Sequence, residues 1–134
     1  MIDLATLTGA IIIELVHEFA VLFSNDDELA SRLQAAGRAS GEKLWRMPLG
    51  DVFDHMIDSD AADVKNIASD RGAGSTIGAV FIQRFVNGVP WAHLDIAGMA
   101  GSTTDHAIPP QGATAYGVRL LERLVARHYE EAGG

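Results

Sequence analysis

Histidines beside carboxylates are the first groups in this sequence equipped to do chemistry. His93 and Asp95 lie two apart in PWAHLDIAGMAG, residues 90–101. On a strand that spacing puts both side chains on one face, where a carboxylate can orient an imidazole. No third group and no nucleophile stands at a matching spacing, and the neighbouring Trp91 and Leu94 predict burial, so a structural hydrogen-bonding role is the favoured reading. His17-Glu18 opens like the zinc-binding pattern H-E-x-x-H, but the place of the second histidine is taken by Val21. His55 sits among Asp54, Asp58 and Asp60; a metal site is conceivable there, and a solvated helix end fits better. His106 and His128 have no partner suggested by spacing. RGAGST, residues 71–76, could hold an anion through backbone N–H groups, yet it lacks the lysine of a phosphate loop and the third glycine of a dinucleotide fingerprint. A turn and helix start explains it better. No serine occupies a G-x-S-x-G elbow, and with zero cysteines there is no thiolate nucleophile, disulfide or Cys-based zinc site.

The bulk composition narrows the field further. The chain has 134 residues, 48% hydrophobic and 21% charged, enough apolar material for a core in one domain or a piece of a larger one. A net charge of −8 argues against broad contact with nucleic acid or anionic membranes. No apolar run approaches the roughly 18 residues that span a bilayer, and the N-terminus lacks the pattern of a signal peptide. Instead it opens on MIDLATLTG, which reads as a buried strand over residues 1–7 ended by Gly9. A start inside a core strand points to the C-terminal part of something longer.

The elements that would position these groups alternate in type. Residues 10–23, rich in Ile and Val, predict one or two strands. SNDDELASRLQAAGRASGEKLW predicts a helix capped by Ser24 or Asn25, with Asp26, Asp27 and Glu28 in the first turn, Leu29, Leu33 and Ala36 on the apolar face, and Gly37 and Gly41 near its end. A second helical start falls at Asp51. A third helix follows RGAGST, with Ile77, Val80, Phe81, Phe85 and Val86 as its apolar face and Asn87-Gly88 as its stop. Trp91 to Ile96 reads as a strand, residues 102–114 as a polar loop with Pro109-Pro110, and Tyr116 to His128 as the last helix, carrying Val118, Leu120, Leu121, Leu124 and Val125. This order predicts an α/β fold with a mixed or parallel sheet.

Four stretches taken together resemble the leucyl aminopeptidase family, the cytosol aminopeptidases, in order and spacing: DLATLTGA (3–10), LFSNDDELA (22–30), SDAADVKNI (59–67) and WAHLDIAG (91–98). GEKLWRMPL (41–49), RGAGST and GATAYGVRLL (112–121) fit between and after them, so the resemblance runs from residue 1 to about residue 128. It implies a three-layer α/β/α arrangement with a mixed sheet, the chain forming a single unit over 1–134 or the C-terminal portion of the family's catalytic domain. It also implies a two-metal hydrolase, manganese- or zinc-dependent and cytoplasmic, that releases N-terminal residues, often leucine, from peptides. In such an enzyme the two cations polarise the scissile carbonyl and bind the attacking water.

In the family the ligands are a lysine and several carboxylates, and the signature NTDAEGRL, before ATLTGA, supplies two of the acids and a catalytic arginine. The sequence contains none of these, so no catalytic and no metal-ligating residue is expected in it. By resemblance it keeps the other wall: Thr6, Leu7 and Gly9, whose turn binds the peptide, and Ala97 and Ala100, which border the pocket for the N-terminal side chain. The expected partners are a peptide substrate and further copies in a hexamer, with neither membrane nor nucleic acid. The alternative is a non-catalytic assembly or binding module. One stretch departs from the family: ELVHEFAVLF (14–23) has Glu14 in place of a small residue, and Val16 and Val21 where glycines are expected.

Overall fold

The structure, a computed structural model, describes residues 1–69, 72–102 and 112–130. Its elements run β1 (Ile2–Ala5), α1 (Ala10–Leu15), β2 (Ala20–Ser24), α2 (Asp27–Ser40), β3 (Leu44–Arg46), α3 (Asp51–Asp54) with a 3-10 turn over His55–Ile57, α4 (Gly74–Gln83), β4 (Ala92–Asp95), β5 (Gly101–Ser102), β6 (Gly112–Ala113) and α5 (Val118–His128). The main sheet has the order β1-β4-β2-β3. β4 pairs parallel to β1 and antiparallel to β2, and β2 pairs parallel to β3. The sheet is therefore mixed, within an α/β fold.

Strand alternation divides the core into two layers. Leu22, Ala92 and Leu94 face α2 and α5, where they meet Leu29, Leu33, Leu120 and Leu124. Val21, Phe23 and Trp91 face the other way, onto Ile11 of α1 and Ala79 of α4. Helices thus cover both faces of the sheet, the three-layer arrangement implied by the family resemblance.

Several local expectations need correction. Residues 10–15 form a helix rather than a strand, although three consecutive isoleucines favour strand. Helical geometry turns Ile11 into the core and leaves Ile12 and Ile13 outside, so packing of one residue overrides local propensity. The cap of α2 is Asp26, whose Oδ1 accepts from the Leu29 N–H at 2.7 Å. Ser24 and Asn25 are engaged elsewhere: the Ser24 hydroxyl donates to the Trp91 carbonyl at 2.6 Å, and Asn25 accepts from the Trp91 N–H at 2.8 Å. They fasten α2's entry to β4. Phe85, Val118 and Val125 are exposed rather than core residues, because α4 ends at Gln83 and α5 buries mainly Leu120 and Leu124. β3 was not anticipated. His106 and Pro109-Pro110 lie outside the described residues.

Candidate functional site

Two strands that run parallel side by side must release their chains at the same end of the sheet. β1 and β4 do this in register, Ala5 opposite Asp95, and the Ile96 N–H donates to the Ala5 carbonyl at 2.9 Å just beyond. Residues 6–9 and 96–100 therefore leave the sheet together. The crevice outside the carboxyl ends of strands is where open α/β sheets bind ligands.

Asp95, fully buried, stands at the centre of this exit. Its Oδ1 accepts from the backbone N–H of Leu7 at 3.3 Å and of Ala97 at 3.2 Å. Its Oδ2 accepts from the hydroxyls of Thr8 at 2.6 Å and Ser75 at 3.2 Å. Leu7 and Thr8 then line a cavity of about 480 Å³ with Asn66, Ile67, Ile77 and Gly78. Gly78 makes room for it: a Cβ there would lie 2.8 Å from Leu7 Cδ2.

The structure thus brings Leu7 and Ala97 together through one oxygen. Thr6 and Gly9 are exposed on either side of the turn, and Ala100, half-buried, closes a short turn by donating to the Ile96 carbonyl at 3.0 Å. Of these five residues only Leu7 is among those lining the cavity.

His93 and Asp95 share a face as expected but have separate partners. The Nδ1 of His93 lies 2.5 Å from Asp3 Oδ1, and the Trp91 indole N–H donates to Asp3 Oδ2 at 2.6 Å. Burial raises the pKa of the Asp3 carboxyl, but the bonds from His93 and Trp91 outweigh that and hold it below its ordinary value. The His93 ring is stacked between Phe23 and Trp91. Its Nε2 has no hydrogen-bond partner among the described residues. His17 Nδ1 lies 2.6 Å from the Gly98 carbonyl.

Around His55, Asp54 and Asp58 are already matched by a cation. Arg84 bonds both oxygens of Asp54, at 2.8 and 2.9 Å, and Asp58 Oδ1 at 2.6 Å. Arg84 and then His55 hold the Asp58 carboxyl below its usual range. Among the described residues no group of three or more His, Cys, Asp or Glu converges to hold a metal ion.

Sequence reasoning missed Asp3, Thr8 and Ser75. Asp3 and Thr8 meet β4 only through pairings about 90 residues long, and no local periodicity signals them.

These features belong to a recognisable lineage. The catalytic-domain profile of the cytosol aminopeptidase family matches residues 1–122. The chain is 56% identical over 132 residues to a probable cytosol aminopeptidase of Ehrlichia ruminantium (strain Gardel), covering 97% of this chain and 26% of that protein. It is 58% identical over 130 residues to the probable cytosol aminopeptidase of Rhodopseudomonas palustris (strain BisA53), with the same coverage of 97% and 26%. Among solved structures, a mutant form of tomato leucine aminopeptidase superposes with a TM-score of 0.86 at 42% identity, over 94% of this chain and 24% of that one. The chain spans about a quarter of the length of these relatives. It belongs to the cytosol aminopeptidase family.

Proposed function

We propose that the chain is the C-terminal part of a metal-dependent leucyl aminopeptidase and supplies the peptide-binding wall of its cleft. One observation carries the reading: the Leu7 turn and the Ala97 turn leave adjacent parallel strands together, joined through Asp95, and the Leu7 turn lines a cavity of about 480 Å³. In this reading Thr6, Leu7 and Gly9 offer backbone groups to an extended peptide. Ala97 and Ala100, having only methyl side chains, leave space for a leucine-sized group.

The two divalent cations of the proposed enzyme, manganese or zinc, would activate water and polarise the scissile carbonyl. The described residues offer no converging donor set for them and do not fit them. What these residues contribute is confined to binding and orienting the peptide. The isolated 134-residue chain is therefore inactive toward leucine p-nitroanilide with added Mn²⁺; robust turnover by the purified chain would sink this reading.

A second reading, an assembly module, is favoured by a different feature. Among the described residues β1 has a strand partner on one side only, and beside it Met1, Ile2, Leu121, Val125 and Tyr129 line an open groove of about 630 Å³. Size-exclusion chromatography with light scattering tests it: a discrete trimer or hexamer supports the reading and a monomer refutes it. No helix among the described residues is long and apolar enough to cross a membrane.

A further inference from the structure

We infer that Asp95 is the positioning residue of this cleft, one buried carboxylate that sets the spacing between the Leu7 turn and the Ala97 turn. The inference rests on the proposed reading of those turns as peptide-contacting walls, and it adds a residue outside both of them.

The geometry assigns each oxygen a separate task. Oδ1 joins the two walls through a single atom, since it accepts from the N–H of Leu7 and of Ala97. Oδ2 takes the Thr8 and Ser75 hydroxyls and so ties the same turn to the first turn of α4, which also lines the cavity. A carboxylate is suited to this because it is acceptor-only and has about four lone-pair sites. Left unpartnered, a fully buried carboxylate would be costly. Here two backbone N–H groups and two hydroxyls compensate it, all from the segments that frame the cleft. The walls therefore cannot separate without breaking bonds to a buried charge.

The test uses the ¹⁵N-labelled full chain, with the dipeptide leucylglycine as probe. Asp95→Ala removes every acceptor. Asp95→Asn keeps one oxygen for Leu7 and Ala97, while the Thr8 and Ser75 hydroxyls can rotate to accept from the new amide. In Asp95→Ala, amide hydrogen exchange at Leu7 and Ala97 is expected to accelerate together, about tenfold more than at Leu22 and Leu33 in the core. Leucylglycine binding, read from amide shifts over residues 6–9 and 96–100, weakens about tenfold in the same variant, and Asp95→Asn restores most of both.

Uniform acceleration that includes Leu22 and Leu33 would overturn the inference, making Asp95 an ordinary stabilising contact. Wild-type exchange and affinity in Asp95→Ala would overturn it too. If Asp95→Ala does not fold, the double variant Thr8→Val/Ser75→Ala strips the Oδ2 partners instead; paired acceleration at Leu7 and Ala97 supports the inference and unchanged exchange there overturns it. If leucylglycine shifts no amide of the wild-type chain, the peptide-wall reading falls, and the exchange data still decide whether Asp95 couples the two turns.

Discussion

The carbonyl oxygen of Val16 faces Gly98 so closely that a Cβ on the glycine would come within 2.3 Å of it. Val16 makes this approach from φ 54° and ψ −119°, and the Glu18 N–H donates to the Leu15 carbonyl at 3.1 Å. These are the angles of the first central position of a type II′ turn, which normally takes glycine. A β-branched residue there is strained by about 1–3 kcal/mol.

Val16→Gly is therefore expected to raise unfolding free energy by about 1 kcal/mol, after the added flexibility of the unfolded chain is deducted. Gly98→Ala is expected to lower it by about 2 kcal/mol, because the obstructing atom is backbone and cannot turn aside. Urea unfolding of both variants beside the wild type gives the sign of each. A Val16→Gly protein less stable than the parent would contradict the strain argument.

The bond between Asp3 and His93 predicts a pH dependence. The folded Asp3 pKa is depressed below the ordinary value of an aspartate carboxyl, so the unfolded chain binds that proton more tightly. The resulting stability is present above about pH 4 and is lost as pH falls through the lowered folded pKa. Asp3→Asn should cost about 2 kcal/mol at pH 7, the scale of charge-assisted hydrogen bonds. Its deficit should shrink as the wild type is acidified below that range. Equal deficits at pH 7 and in strong acid would refute the link.

Glu42 reaches across to cap a helix it does not belong to. It is buried, and its Oε2 accepts from the Leu120 N–H at 2.8 Å, in the first turn of α5. Gly117, at the cap position, has no side chain to do so. Glu42→Ala is predicted to cost about 2 kcal/mol, the cap together with a stranded buried donor, and Glu42→Gln about half of that. Circular dichroism through a urea titration measures both. A Gln variant worse than the Ala variant would show that the bond is not what counts.

Gly78 separates fold from binding. Its missing Cβ leaves the place that Leu7 Cδ2 occupies. Gly78→Ala gains about 1 kcal/mol of helix propensity and moves the end of a flexible side chain, so stability should change little. Leu7 is displaced toward the cavity, and affinity for leucylglycine should fall several-fold, about 1 kcal/mol. Calorimetric binding alongside thermal melts tests the pair; unchanged affinity would remove Leu7 from the peptide wall.

What the sequence revealed of this molecule was what local rules govern. α2 was legible because its acidic first turn and the spacing of Leu29, Leu33 and Ala36 lie within one short window. β4 was legible as an apolar run after Pro90, and the shared face of His93 and Asp95 followed from strand period alone. Their partners did not follow, because Asp3 and Thr8 come from the other end of the chain. α1 was misread because an Ile-rich hexamer carries strand propensity while a single residue, Ile11, decides its packing. β3 is three half-exposed or exposed residues, too short for a period to show. The two missing glycines proved unequal: Val16 occupies a glycine conformation, whereas Val21 is an ordinary buried strand residue.

The strand order also dictates a timetable for synthesis. β1 and β2 never touch each other in the sheet; both pair with β4, which follows them by tens of residues. As the chain emerges from a ribosome, β2 and β3 can pair early, but among the described strands β1 pairs only with β4 and that pairing waits until residues 92–95 are made. Closing so long a loop is a slow, late event. The Thr6–Gly9 turn therefore gains its bonds to Asp95 late, and a nascent chain short of Asp95 lacks the carboxylate that ties this turn to the Ala97 turn.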